Sequence, residues 1–258
     1  MTQSDLLKGK VAVITGGARG LGVNMTYGLA EAGANIAITY LSSEESATKL
    51  VKDIEAKYGV TCRAYPMRVT DAEQVQATIA KINEDFNAID IFVANAGISI
   101  QGNAETFDFA DWKNIFDVNV NGVFYGIQSV SKYMLEQGSG SIIAISSISA
   151  KIANVPQAQC AYNSSKAAVS MMTKCLASEW ATRGVRVNAI CPGYMNTDML
   201  GDIFKKSPHL EEAWTNRIPM RRIGDPDELK GAVLFLAGDQ SSYVTGTELV
   251  VDGGYTAV

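Results

Sequence analysis

The 258-residue chain contains one histidine, His209, so acid–base chemistry near neutral pH must run largely without imidazole. A histidine-based metal site has no support for the same reason, and no metal is expected. The four cysteines, Cys62, Cys160, Cys175 and Cys191, show no C-x-x-C pairing. They read as buried free thiols of a cytoplasmic protein rather than as a zinc centre or a disulfide framework. No apolar run approaches the roughly 18 residues of a membrane span. The opening stretch MTQSDLLKGK lacks a basic segment followed by an apolar one, so neither a membrane nor a secretory signal is expected. Basic clusters are missing as well: 22 Lys and Arg stand against 27 Asp and Glu, a net charge of −5, which points away from nucleic acid.

What is present is apolar residue in quantity, 47% against 19% charged, enough to bury a substantial core. Short apolar runs alternate with amphipathic stretches. Strands are expected at KVAVIT (10–15), NIAITY (35–40), CRAYPM (62–67), IDIFVAN (89–95), GSIIAIS (140–146), VRVNAI (185–190) and TELVVD (247–252). Helices are expected between them, the longest near 108–136 and 160–182. Gly59 should stop the second helix. Thr70 and Glu73 in TDAE form one candidate capping box; Asp225, Pro226 and Glu228 in DPDE form another. Continuous apolar strands joined by helices predict a parallel sheet covered on both faces, an α/β doubly wound domain spanning 1–258. The irregular stretch 193–222 is too long for a routine connection and is expected to be functional.

The first strand runs directly into TGGARGLG (15–22), where Gly16, Gly20 and Gly22 give G-x-x-x-G-x-G at the opening of a helix. Glycines there permit a tight turn and let backbone N–H groups approach a pyrophosphate at the positive helix end. A dinucleotide site follows from that position between strand and helix. The second strand ends in Tyr40, Leu41, Ser42 and Ser43, with no carboxylate before Glu44. An NAD site usually places an acidic residue there, and Arg19 is a cation positioned for a 2′-phosphate. Both observations favour NADP(H), with Glu44 and Glu45 as the acidic side chains nearest the ribose edge.

In AYNSSKAAV (161–169), Tyr162 and Lys166 lie four positions apart and therefore one turn apart on a single helix face. A cation at that spacing favours the phenolate and draws the tyrosine toward working range, which makes Tyr162 the candidate proton donor.

The ordered set TGGARGLG, ANAG (94–97), NVNG (119–122), SS (146–147), YNSSK (162–166), PG (192–193) and VTGTELVVDGG (244–254) resembles the short-chain dehydrogenase/reductase family over nearly the whole chain. The resemblance implies a Rossmann-type domain with a seven-stranded parallel sheet and the catalytic set Asn119, Ser147, Tyr162 and Lys166. Ser149 lies thirteen residues before Tyr162, the interval common in the family. Ser147 is chosen as the second serine of the SS pair. SSISAKIANVPQAQCAYNSSKAAV (146–169) is similar to the branch of NADPH-dependent ketose reductases and polyol dehydrogenases, in which this longer spacing is typical.

The resemblance also implies that Gly16, Arg19, Gly20, Leu21, Gly22, Tyr40, Ser42, Ser43, Val69, Asn95, Ala96, Gly97, Tyr162, Lys166, Pro192, Gly193 and Thr197 hold NADP(H). Thr197 would meet the nicotinamide carboxamide, Lys166 the nicotinamide ribose, and Asn119 would anchor a water chain behind the lysine. Two residues depart from the pattern: Ala94 replaces an asparagine, and Arg68 replaces the aspartate that accepts from the adenine amino group. Cys160 is expected to pack, Asn163 to approach substrate, the three tryptophans to serve core or interface, and His209 to sit on the surface. The expected activity is reversible reduction of a ketose to a polyol by a homotetramer. A general carbonyl or 3-oxoacyl reductase and a non-catalytic scaffold are the alternatives.

Overall fold

The structure, a computed structural model, describes residues 6–197, 200–201, 204–205 and 209–258. Residues 198–199, 202–203 and 206–208, part of the 193–222 stretch singled out above, lie outside the described residues. Seven strands form one parallel sheet: β1 (Val11–Thr15), β2 (Asn35–Tyr40), β3 (Cys62–Pro66), β4 (Ile91–Ala94), β5 (Gly140–Ile145), β6 (Val185–Pro192) and β7 (Glu248–Val251). Their spatial order is β3-β2-β1-β4-β5-β6-β7. Each expected strand is present, and Pro66 is tolerated because β3 is an edge strand that needs one ladder fewer.

Helices cover both faces, as continuously apolar strands demand. On one face α1 (Leu21–Glu31), α2 (Glu44–Tyr58) and α8 (Leu229–Ala237) enclose Ile14, Ile36, Ile38, Leu29, Ile54 and Leu236. On the other, α3 (Ala72–Phe86), α5 (Gly122–Gln137) and α6 (Cys160–Trp180) enclose Val13, Ile79, Phe92, Val130, Val187 and Trp180. Adjacent Val13 and Ile14 belong to opposite cores, as the two-residue period of a strand requires. Among the described residues α4 (Phe109–Phe116) and α7 (His209–Thr215) are further helices, the latter opening on exposed His209.

Three local expectations change. The expected long helix near 108–136 is α4 and α5 joined by one π turn, Asp117–Asn121. The first capping box shifts by one residue: Asp71 is the N-cap of α3 and its carboxylate accepts Gln74 N–H at 3.0 Å. A turn closed by Asp71 N–H on Arg68 O leaves Thr70 ahead of the helix start. The second box stands, with Asp225 and Glu228 capping reciprocally. Cys62 and Cys191 are buried, but Cys160 and Cys175 are exposed. Both lie on the stripe of α6 that recurs through Ser164, Ala167, Met171 and Lys174, the helical face turned from the sheet, so Cys160 does not pack as expected.

Candidate active site

The strand order reverses between β1 and β4, and the crevice beyond their carboxyl ends is where an open α/β sheet offers a binding site. A cavity of about 710 Å³ opens there. Gly16 and Gly20 have φ of +63° and +53°, the left-handed region, so the chain turns sharply out of β1. Gly20 caps α1 with no side-chain acceptor, which leaves the first helical N–H groups turned toward the cleft. Gly22 does not line the cavity. A Cβ on it would stand 2.5 Å from Gly16 O and 2.8 Å from Asn95 Nδ2, so its place in the motif is close packing.

Thr15 and Asn95 lock the two sides of the reversal together. Asn95 Nδ2 donates to Thr15 O at 2.9 Å and Gly16 O at 3.2 Å, while Thr15 Oγ1 accepts the N–H groups of Asn95 and Ala96, each at 3.0 Å. The motif reading passed over Thr15, whose only signal is its position at the strand end before the glycines. Arg19, Leu21, Tyr40, Ser42, Ser43, Val69, Ala96 and Gly97 line the cavity, and so does Arg68. Among the described residues that line it there are three cations, Arg19, Arg68 and Lys166, and no carboxylate. Glu44 and Glu45 open α2 and stay outside the lining. Neither arginine has an ion-pair partner among the described residues.

At the centre of the cleft, Ser147, Tyr162 and Lys166 converge from the end of β5 and the start of α6. Burial pushes the Tyr162 hydroxyl above its ordinary value, a hydrogen bond with Ser147 pulls it back in part, and the nearby Cys191 thiol adds to the rise. Ser147 is therefore the serine that meets the tyrosine. Ser149 also lines the cleft but has other partners: its hydroxyl accepts from Gln159 Nε2 at 3.1 Å, and its N–H donates to Ser147 Oγ at 3.1 Å.

Lys166 is 4% exposed, and burial lowers it to about 8. Its ammonium donates to Ile145 O at 2.8 Å and lies 5.7 Å from the centre of the Tyr162 ring. The expectation that Lys166 draws the phenol downward is corrected here. One of the three ammonium donors goes to a backbone carbonyl, and burial is the largest influence on the tyrosine, which it raises.

Asn119, fully buried in the π turn, accepts Ile98 N–H at 2.8 Å and donates to Ile98 O at 2.9 Å and Ser165 Oγ at 3.0 Å. Ser165 in turn donates to Tyr162 O at 2.7 Å, so Asn119 reaches the tyrosine through one hydroxyl without lining the cavity.

The far end is built of amides. Gln159 Nε2 lies 3.0 Å from Asn154 Oδ1 and 2.9 Å from Asn163 Oδ1, and Asn163 Nδ2 donates to Asn154 Oδ1 at 3.1 Å. Asn154 and Gln157 both donate to Tyr194 Oη, at 3.0 and 2.8 Å, and Trp214 Nε1 donates to Gln157 Oε1 at 3.0 Å. Tyr194 and Trp214 stack at 4.2 Å, which places this tryptophan on the cleft as well as in a small core. Except for Asn163, the motif reading missed this network, because ordinary polar residues in an irregular segment carry no pattern. Pro192, Gly193 and Thr197 line the same region, and Thr197 Oγ1 also accepts Leu200 N–H at 3.4 Å.

A reversed parallel sheet, a glycine turn at the reversal and a Ser–Tyr–Lys cluster beside it define an oxidoreductase of the short-chain dehydrogenase/reductase family, and the chain belongs to that family. The family model described as enoyl-(acyl carrier protein) reductase matches residues 16–256. An NADP-dependent mannitol dehydrogenase of Hypocrea jecorina is 40% identical, over 97% of this chain and 93% of that protein. A sorbose reductase of Candida albicans is 43% identical, over 97% of this chain and 88% of its own. A solved gluconate 5-dehydrogenase from Burkholderia cenocepacia, in complex with NADP and tartrate, superposes with a TM-score of 0.93 at 36% identity over 100% of both chains. Among the described residues, no helix is long and apolar enough to cross a membrane.

Proposed function

We propose that the protein is an NADPH-dependent reductase that converts a ketose to its polyol, reversibly. One observation carries the reading: Ser147, Tyr162 and Lys166 meet in a cleft whose other cations, Arg19 and Arg68, lie at the opposite end with no carboxylate among its described lining residues. That charge pattern fits a phosphorylated dinucleotide, and the turn from Gly16 to Leu21 fits its pyrophosphate. Arg19, Ser42 and Ser43 would hold the 2′-phosphate, with Asn95, Ala96, Gly97, Pro192, Gly193 and Thr197 along the rest of the cofactor. When bound, NADPH supplies the hydride.

The chain's own residues do the remaining work. Tyr162, kept protonated by burial, gives its proton to the carbonyl oxygen of the substrate. Ser147 donates a hydrogen bond to that oxygen, and the bond strengthens as negative charge grows there. Lys166 offers a desolvated cation to the cofactor ribose, and Asn119 holds the start of α6 in register through Ser165.

The relatives' activities on mannitol and sorbose support a sugar substrate. On this reading residues 1–258 act as one catalytic unit, with 193–222 on the substrate side. We further take the enzyme to be a cytoplasmic homotetramer. Phe109 and Met171, 91% and 59% exposed on α4 and α6, support an interface.

The test is NADPH oxidation against D-fructose, L-sorbose, L-xylulose, a hydrophobic methyl ketone and a 3-oxoacyl thioester, with NADH alongside. Turnover best with a ketose and NADPH is expected. Best turnover of the methyl ketone or thioester would replace the ketose reading with a general carbonyl reductase.

A further inference from the structure

The amide end of the cleft has a chemistry of its own. Gln159 is 8% exposed and lines the cavity, and its Nε2 is shared among Ser149 Oγ, Asn154 Oδ1 and Asn163 Oδ1. Those contacts use both of its N–H donors and fix its orientation, while Oε1 has no partner among the described residues. Tyr255 Oη is the one fully buried, unpartnered side-chain polar atom among the described residues, so Gln159 Oε1 keeps contact with the space it lines. Asn154 and Gln157 each spend one N–H on Tyr194 and retain a second. The surface therefore offers a fixed acceptor beside spare donors, with no charged side chain among the described residues of this end apart from Lys166.

We propose that this end of the cleft selects neutral polyhydroxylated ligands over sugar acids of the same length, with Gln159 as a specificity-determining residue. The proposal rests on the ketose reading and names how the substrate is read. A hydroxyl both donates and accepts, so it can satisfy an amide acceptor and an amide donor in turn. A carboxylate only accepts. It has no proton to give Gln159 Oε1, so that acceptor stays unpaired against a negative charge that has lost its hydration. A ligand without hydroxyls leaves the same amides unpaired in a desolvated wall, which is the strongest ground for rejection such a site has.

The experiment reads binding rather than turnover. Quenching of tryptophan fluorescence, with Trp214 in the cleft wall as the reporter, is followed in the NADPH-loaded protein during titration with D-sorbitol and, separately, with D-gluconate. The wild type is expected to bind sorbitol at least about tenfold more tightly than gluconate. Gln159→Leu is expected to weaken sorbitol about tenfold and to leave gluconate within about twofold. Equal or tighter binding of gluconate by the wild type overturns the proposal, and that arm needs no variant to fold. An unchanged preference in a folded Gln159→Leu protein overturns it as well. Preference for sorbitol in a protein that reduces no ketose would sink the reductase reading and leave this one standing.

Discussion

Ser147 and Ser149 are two residues apart on one turn, yet the structure gives them different partners. Ser147 meets Tyr162, and Ser149 is occupied by Gln159. Ser147→Ala should lower kcat for ketone reduction by about 10²–10³, the cost of one donor to a developing oxyanion. Ser149→Ala should cost less than tenfold, and steady-state kinetics of the pair decides between them. Lys166 makes a second prediction. Lowered to about 8, it is a cation below that pH and loses its charge above it. kcat/KM for NADPH, which reports the free enzyme, should hold steady up to about 8 and fall beyond. Lys166→Arg should abolish that limb, because a guanidinium keeps its charge. Stability carries the opposite sign. The unfolded lysine stays protonated up to its ordinary 10.5, so the unfolded chain binds more protons between about 8 and 10.5 and folding gains over that window.

At the scale of elements, the reversal between β1 and β4 is held by packing too tight for side chains. Gly22→Ala would drive a Cβ to 2.5 Å from Gly16 O, a backbone atom that cannot swing aside. We expect a loss of about 1–3 kcal/mol of stability and at least tenfold weaker NADPH binding, read by thermal melting and a fluorescence titration. Strand and helix order were legible in the sequence because apolar runs and glycine stops report directly on burial and turning. The glycine turn and the Tyr162–Lys166 pair were legible for a related reason, since each is a local spacing. The π turn carrying Asn119 was not legible, because a single five-residue turn is too short to show a period of its own. The capping shift from Thr70 to Asp71 depended on the Arg68–Asp71 turn, which composition does not disclose. The amide network was hidden because Asn154, Gln157, Gln159 and Asn163 meet one another, and Tyr194 and Trp214, only in the folded chain.

Across the whole molecule, charge is divided along one cleft: two arginines at the cofactor end, one buried lysine at the centre and uncharged amides beyond. That division makes cofactor choice an electrostatic property of the cleft. Arg19→Ala should raise KM for NADPH by about tenfold to a hundredfold, the loss of a charge-assisted hydrogen bond, and leave KM for NADH nearly unchanged. KM for NADPH in the wild type should also rise with salt, since Arg19 is exposed. The central claim, however, is that one tyrosine passes the proton. The measurement that tests it most directly is kcat for the preferred ketose in Tyr162→Phe beside an NADPH titration of the same protein. The account predicts a fall of about 10²–10⁴ with NADPH affinity held within about twofold. A variant that retains turnover within tenfold of the wild type would contradict it.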